Sequence, residues 1–173
     1  MCIRDRFTRW FADAADVRTD LPRYRIYGPG GAFVEATDVT DWYRDDDVAF
    51  LLGCSFGFEE ALSAAGLLPR HIEEGRNVPI YATRRRTVAV GPFCAPLVVS
   101  MRPVPADRVQ EVRDITRPYE WSHGEPVHHG EPAELGIADL SRPDWGDAVS
   151  IRRGEVPVFW ACGVTSQVAV VNA

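Results

Sequence analysis

Two short segments place a thiol and a hydroxyl among small residues at the end of an apolar element. Gly53-Cys54-Ser55 stands immediately before a predicted helix over Phe56–Ala65. Ala161-Cys162-Gly163-Val164-Thr165 follows a predicted strand over Val156–Ala161. If a helix begins at such a point, its free N–H groups would bind a carboxylate or an oxyanion. They would also lower the pKa of a thiol. The alternative is two small buried cysteines packed in tight turns, since free Cys is among the most buried residue types.

Three further segments concentrate polar chemistry. Arg70 to Pro79 (RHIEEGRNVP) holds two Arg, a His, two Glu and Asn77 between a predicted helix and a predicted strand. His71 and Glu73 would share a side if that segment is extended, as an acid/base pair or as metal ligands. Arg76 is its second cation. A solvated charged loop fits equally well. His123 to Pro132 (HGEPVHHGEP) contains three of the four histidines, among glycines and prolines that restrict the loop. Histidine is the usual general base near neutral pH and the commonest metal ligand, yet this spacing matches no standard zinc pattern. Asp139 to Asp147 (DLSRPDWGD) carries three carboxylates, which fit a cation or, more simply, Asx-turns. Arg102, after an apolar stretch from Pro96 to Met101, could clamp a carboxylate or form a salt bridge.

The elements around these residues read as short and mixed. Arg23–Tyr27 and Ala32–Ala36 alternate on either side of Gly28-Pro29-Gly30-Gly31, a β-hairpin pattern. Val48–Leu52 fits a buried strand or a helix start. Phe56–Ala65 ends at Gly66 with Pro69 beyond, the signature of a helix C-terminus. Val78–Ala82, Thr87–Val90, Pro96–Met101, Ala148–Arg152 and Val156–Ala161 read as strands. Pro103 and Pro105 close the third of these. Ala106–Ile115 reads as a helix with Val109, Val112 and Ile115 on one face. Without regular βαβ alternation, the expected fold is α+β (irregular mixed α/β). It consists of a mixed sheet with short helices in a single domain over residues 7–173. Residues 1–6 (MCIRDR) fit no element and read as a non-native leader.

Composition narrows the function classes. The 173 residues are 46% hydrophobic and 25% charged, which is globular rather than disordered or fibrous. The net charge of −6 argues against a nucleic-acid surface. No apolar run reaches the roughly 20 residues of a membrane span. All 19 basic residues are arginine, which removes Schiff-base and P-loop lysine chemistry. The four cysteines are far apart and no secretory segment precedes them, so the expectation is free thiols in a reducing cytoplasm.

Six ordered stretches resemble the D-glutamate cyclase family, whose bacterial members are mostly named hydro-lyases. They are GCSFGFEEAL (53–62), RHIEEGRNVPIY (70–81), PLVVSMRPV (96–104), HGEPVHHGEP (123–132), LGIADLSRPDWGD (135–147) and GEVPVFWACGVTSQ (154–167). The resemblance runs from about Leu21 to Gln167, with His129 and the arginines of Ala82–Phe93 departing from the usual form. It implies a chain shorter than its relatives at both ends, ending short of a further histidine-bearing segment.

The resemblance also implies cyclisation of D-glutamate to 5-oxo-D-proline with loss of water. On that reading Glu73 or His71 takes the ammonium proton and His123 or His128 supplies the acid. Arg76 and Arg102 hold carboxylates, with Asn77 and Thr165 beside them in the substrate site. Backbone N–H groups near Cys54-Ser55 and Cys162-Gly163 stabilise the oxyanion. No cofactor is required with certainty, and a divalent metal is left open. The expected partner is a small carboxylate, and a homo-oligomer is allowed. Three rivals stand beside it: a hydro-lyase acting on a hydroxy acid, a metal-dependent hydrolase, and a carboxylate-binding module without turnover.

Overall fold

The computed structural model describes residues 2–3 and 14–173. Apart from residues 2–3, the leader segment lies outside the described residues. The chain divides into two compact units, Met1–Leu52 and Gly53–Ala173. Every described strand pair is antiparallel, within an α+β architecture. Among the described residues no helix is long and apolar enough to cross a membrane.

In the first unit, β1 (Cys2–Ile3) pairs with β4 (Ala49–Phe50), so the 48–52 segment forms only a two-residue strand and is not buried: Val48, Phe50 and Leu52 are exposed. Between them lies the expected hairpin, β2 (Tyr24–Tyr27) with β3 (Phe33–Ala36). Gly30 and Gly31 turn it with φ of 78° and 79°, a region open to glycine at no steric cost.

The second unit is built on a four-stranded sheet in the order β5 (Ile80–Arg86), β6 (Pro96–Pro105), β8 (Glu155–Ala161), β7 (His128–His129). The prolines expected to close β6 lie inside it. Met101 N–H donates to Pro79 O on the β5 side. Residues 103 and 105, two and four positions on, therefore turn their nitrogens to that same side, away from β8. The β5 pairing has ended by then, so no ladder bond is lost.

Strand pleating sorts the core into two faces. Val104, Val158 and Trp160 bury one face under Phe58, Leu62, Val109 and Val112. These come from a 3-10 turn at Ser55–Phe58, α1 (Glu59–Ala64) and α3 (Val109–Thr116). The other face carries Tyr81, Val99, Met101, Phe159, Leu135 and Ile137. Each fully buried large side chain contributes about 1.5–3 kcal/mol. The α1 end is a Schellman motif: Gly66 has φ of 72°, Leu67 N–H donates to Leu62 O, and Gly66 N–H to Ser63 O.

Three expected elements differ. Residues 70–73 form a helical turn, α2 (Arg70–Glu73), rather than an extended segment. Thr87–Val90 is no strand, apart from a bridge between Val90 and Phe93. Ala148–Arg152 is not a strand either, because side chains take over its backbone. Ser150 N–H donates to Glu74 Oε1 at 3.2 Å, Ser150 O accepts from Arg70 at 3.1 Å, and Ala148 O accepts from Arg76. The apolar C-terminal stretch forms α4 (Val164–Val171).

Candidate active site

Arg102 lies in β6 on the helix-covered face and is only 2% exposed. Nε donates to Glu59 Oε1 at 2.9 Å, and Nη2 donates to the same oxygen. Nη2 also reaches Ser55 Oγ at 3.0 Å, and Nη1 reaches Ser100 Oγ at 3.1 Å. The guanidinium carbon sits 5.2 Å from the Phe58 ring centre and 5.3 Å from that of Trp160, within cation–π range. Burial draws the Arg102 pKa down, and Glu59 works against that.

Glu59 is 7% exposed and His71 5%. His71 Nε2 lies 3.3 Å from Glu59 Oε1. Burial pushes the Glu59 carboxyl up, but its hydrogen bond with His71 and the charge of Arg102 outweigh it, so the pKa falls below its ordinary value. His71 Nδ1 is buried without a hydrogen-bond partner among the described residues. An unpaired buried polar atom costs about 1–3 kcal/mol, and such atoms in native folds mark catalytic groups or places for a ligand or water.

A second imidazole approaches from a tight loop. His123 has φ of 79° at the end of the 3-10 turn Glu120–Ser122. Burial lowers its pKa, a backbone contact with Gly53 opposes this, and the Arg102 charge adds to it. Its Nε2 also lacks a partner among the described residues. Glycine makes this approach feasible: a Cβ on Gly53 would stand 1.7 Å from Trp121 O, and one on Gly57 2.8 Å from Ser122 Oγ.

The thiols complete the group. Cys54 is exposed and precedes Ser55, whose hydroxyl is 3.4 Å from that of Ser100. Cys162 follows β8, its N–H donating to Val98 O at 2.9 Å. The helix-start expectation of a lowered thiol pKa fails for Cys162. Burial raises it and prevails over the N–H groups of Val164 and Gly163 at the start of α4. Cys54 raises it further and Arg102 lowers it, so both thiols stand within electrostatic reach of one another and of the guanidinium.

Cys54, Ser55, His71, Arg102, His123 and Cys162 thus gather, with Gly163 at the foot of α4. The remaining candidates lie elsewhere. Two positions along a helical turn differ by about 200°, so Glu73 points away from His71. Its carboxylate meets Arg152 at 2.7 Å and Arg70 at 2.8 Å, and Arg152 holds its pKa down. With Arg70, Arg152 and Glu155 it lines a cavity of about 280 Å³ that also touches Arg102. Arg76 is exposed and bonds Ala148 O, while Asn77 N–H donates to Asp147 Oδ2 at 2.9 Å.

His128 pairs across the ladder with Phe159, on the face opposite Arg102. Its Nε2 is 2.9 Å from Glu131 O. Thr165 spends its hydroxyl on Val98 N–H at 3.0 Å and Val98 O at 3.2 Å, docking α4 on β6. Asp139 forms a turn, its Oδ1 accepting from Ser141 N–H and Oγ, whereas Asp144 ties two segments together, its Oδ2 accepting from Ala82 N–H. Among the described residues no three His, Cys, Asp or Glu side chains come together as metal ligands.

Sequence reasoning missed Glu59 and Ser100. The signals were present: Glu59 is four residues after Ser55, one helical turn, and Ser100 is two before Arg102, the same strand face.

Fold and site together define an α+β protein with acid–base groups gathered round one buried arginine. The chain belongs to the D-glutamate cyclase family, whose model matches residues 48–173. Among its relatives is a Rubrobacter xylanophilus protein named "Putative hydro-lyase", 54% identical over 165 residues, covering 95% of this chain and 64% of that protein. Relatives from Bordetella petrii ("Putative hydro-lyase Bpet2233") and Saccharopolyspora erythraea ("Putative hydro-lyase") are both 57% identical, over 155 and 160 residues. They cover 90% and 92% of this chain, and 59% and 63% of their own lengths. The chain spans about three fifths of the length of these relatives.

Proposed function

We propose that the chain is a hydro-lyase that cyclises D-glutamate to 5-oxo-D-proline and releases water. Family membership supports the class of reaction. The observation that carries the site is the convergence of His71, His123 and both thiols on the Glu59–Arg102 pair, with one unpartnered ring nitrogen on each histidine.

The chemistry sets the roles. The α-ammonium must lose a proton before its nitrogen can attack, and His71 Nδ1 is the free acceptor. The new C–N bond turns the γ-carboxylate into a tetrahedral intermediate, whose negative charge the Arg102 guanidinium offsets. The nitrogen then loses its second proton and the C–O bond breaks. Both protons end on the departing oxygen, so water leaves and the lactam carries no added charge. His123 is the group for that delivery: burial keeps it neutral, so it accepts the second proton from the nitrogen and releases it again to the departing oxygen. No electrons are transferred, and the steps draw only on side chains of the chain. Fixing both ends of one flexible substrate supplies much of the rate, since orientation can be worth about 7–11 kcal/mol of barrier.

Proton NMR of D-glutamate, and separately L-glutamate, incubated with the purified chain tests this. The expected result is 5-oxoproline from the D-isomer alone, above the spontaneous rate. Release of water from a hydroxy acid instead, with D-glutamate untouched, replaces this reading with that of another hydro-lyase.

A further inference from the structure

Glu59 is the one buried carboxylate in the group, and a single oxygen serves two partners. Oε1 accepts two N–H bonds from Arg102 and lies 3.3 Å from His71 Nε2. The carboxylate is held ionised, so it has no proton to give, and the imidazole atom facing it must be the N–H. A neutral imidazole carries one proton. With that proton on Nε2, Nδ1 is a bare acceptor, and Nδ1 is the buried atom that lacks a donor among the described residues. The shared oxygen selects the tautomer, and the orphaned nitrogen shows that no described residue engages Nδ1.

We infer that Glu59 is a positioning residue that holds His71 as the Nε2–H tautomer. It keeps Nδ1 free to take a proton from an ammonium substrate or from a water that relays it. This rests on the cyclase reading only for the identity of the proton donor. When Nδ1 takes a proton, Glu59 faces the resulting imidazolium and stabilises it, as carboxylates behind catalytic histidines do. The same carboxylate fixes the guanidinium that holds Ser55 beside Cys54, so one side chain couples the base to the cation.

Heteronuclear NMR of the whole chain, labelled in its histidine ring nitrogens and assigned with His71→Gln, reads the tautomer directly near neutral pH. The expected spectrum has Nε2 protonated and Nδ1 bare. A proton on Nδ1, in either a neutral or a doubly protonated ring, overturns the inference. Glu59→Gln keeps the volume and an acceptor oxygen for Arg102 but removes the charge. Its kcat for 5-oxoproline formation is expected to fall about 100-fold with KM within about threefold, the scale of one acid–base group. Wild-type kcat in a folded Glu59→Gln variant also overturns it. Should that variant not fold, the wild-type spectrum still decides. A wild-type chain with the expected His71 spectrum but no product overturns the cyclase reading and supports the tautomer assignment.

Discussion

Glu59 and Arg102 meet through a single carboxylate oxygen, with Arg102 Nε donating at 2.9 Å and Nη2 sharing the same acceptor. Both side chains are buried, and both come from motifs 43 residues apart in sequence. Removing one member leaves an uncompensated charge, which costs about 3–5 kcal/mol in buried pairs. Arg102→Met is therefore expected to lower stability on that scale in urea unfolding. The double variant with Glu59→Leu should recover part of the loss. A single variant as stable as wild type would show that the pair does not support the fold.

His71 and Glu73 make opposite predictions. His71→Gln should abolish turnover, because Nδ1 is the free acceptor. Glu73→Gln should leave kcat within a few-fold of wild type, because its carboxylate is tied to Arg152 and Arg70 on the far side of the turn. Parallel steady-state assays check this, and loss of turnover in Glu73→Gln would return the base to that residue.

Stability should fall with acid in two stages. The folded pKa of His123 is depressed below 6.5, so below that value the unfolded chain binds more protons than the native one. The associated stability is complete above about pH 6.5 and is lost as pH falls through the folded pKa. Glu59 is also depressed, so its contribution is complete above the ordinary carboxylate range and is lost further into acid. Urea midpoints measured from neutral pH downward should show the first loss in wild type and a smaller one in His123→Gln. Identical slopes would remove His123 from the titration.

Gly53 has no room for a methyl group, since a Cβ there would meet Trp121 O at 1.7 Å. Gly53→Ala must push the 120–123 loop away and take His123 with it. The expected result is a loss of about 1–3 kcal/mol, the usual cost of overpacking, together with a drop in turnover. Gly28→Ala in the hairpin turn, where a Cβ would meet only Ala32 O at 3.8 Å, is the control. Equal activity in the two would show that the His123 loop is not needed.

The thiols should differ in reactivity. Cys54 is exposed, whereas Cys162 is partly buried and its pKa is raised by that burial. Alkylation followed by peptide mapping should modify Cys54 at least about tenfold faster, because only the thiolate reacts. D-Glutamate should slow it. Faster modification of Cys162 would mean that the site is more open than the structure shows.

Much of this was readable from residue order alone. Hairpin glycines, the Gly66 helix end, the Val109/Val112/Ile115 stripe and the two thiol motifs all act through neighbours one to four positions away. Such signals survive without knowledge of the fold. Four outcomes depended on contacts across the chain. Pro103 and Pro105 stay in β6 only because the β5 pairing has already ended. Residues 148–152 forgo a strand because Arg70, Glu74 and Arg76 satisfy their backbone from another segment. His128 is turned to the wrong face by strand pleating, and Glu73 by the pitch of a helical turn.

The six motifs determined the family and most of the residue types that the site needs. Which of those residues meet was decided by the tertiary structure. A buried charge must find its partner in three dimensions, and Arg102 found it in Glu59, a residue that in sequence looks like any other acid at the start of a helix.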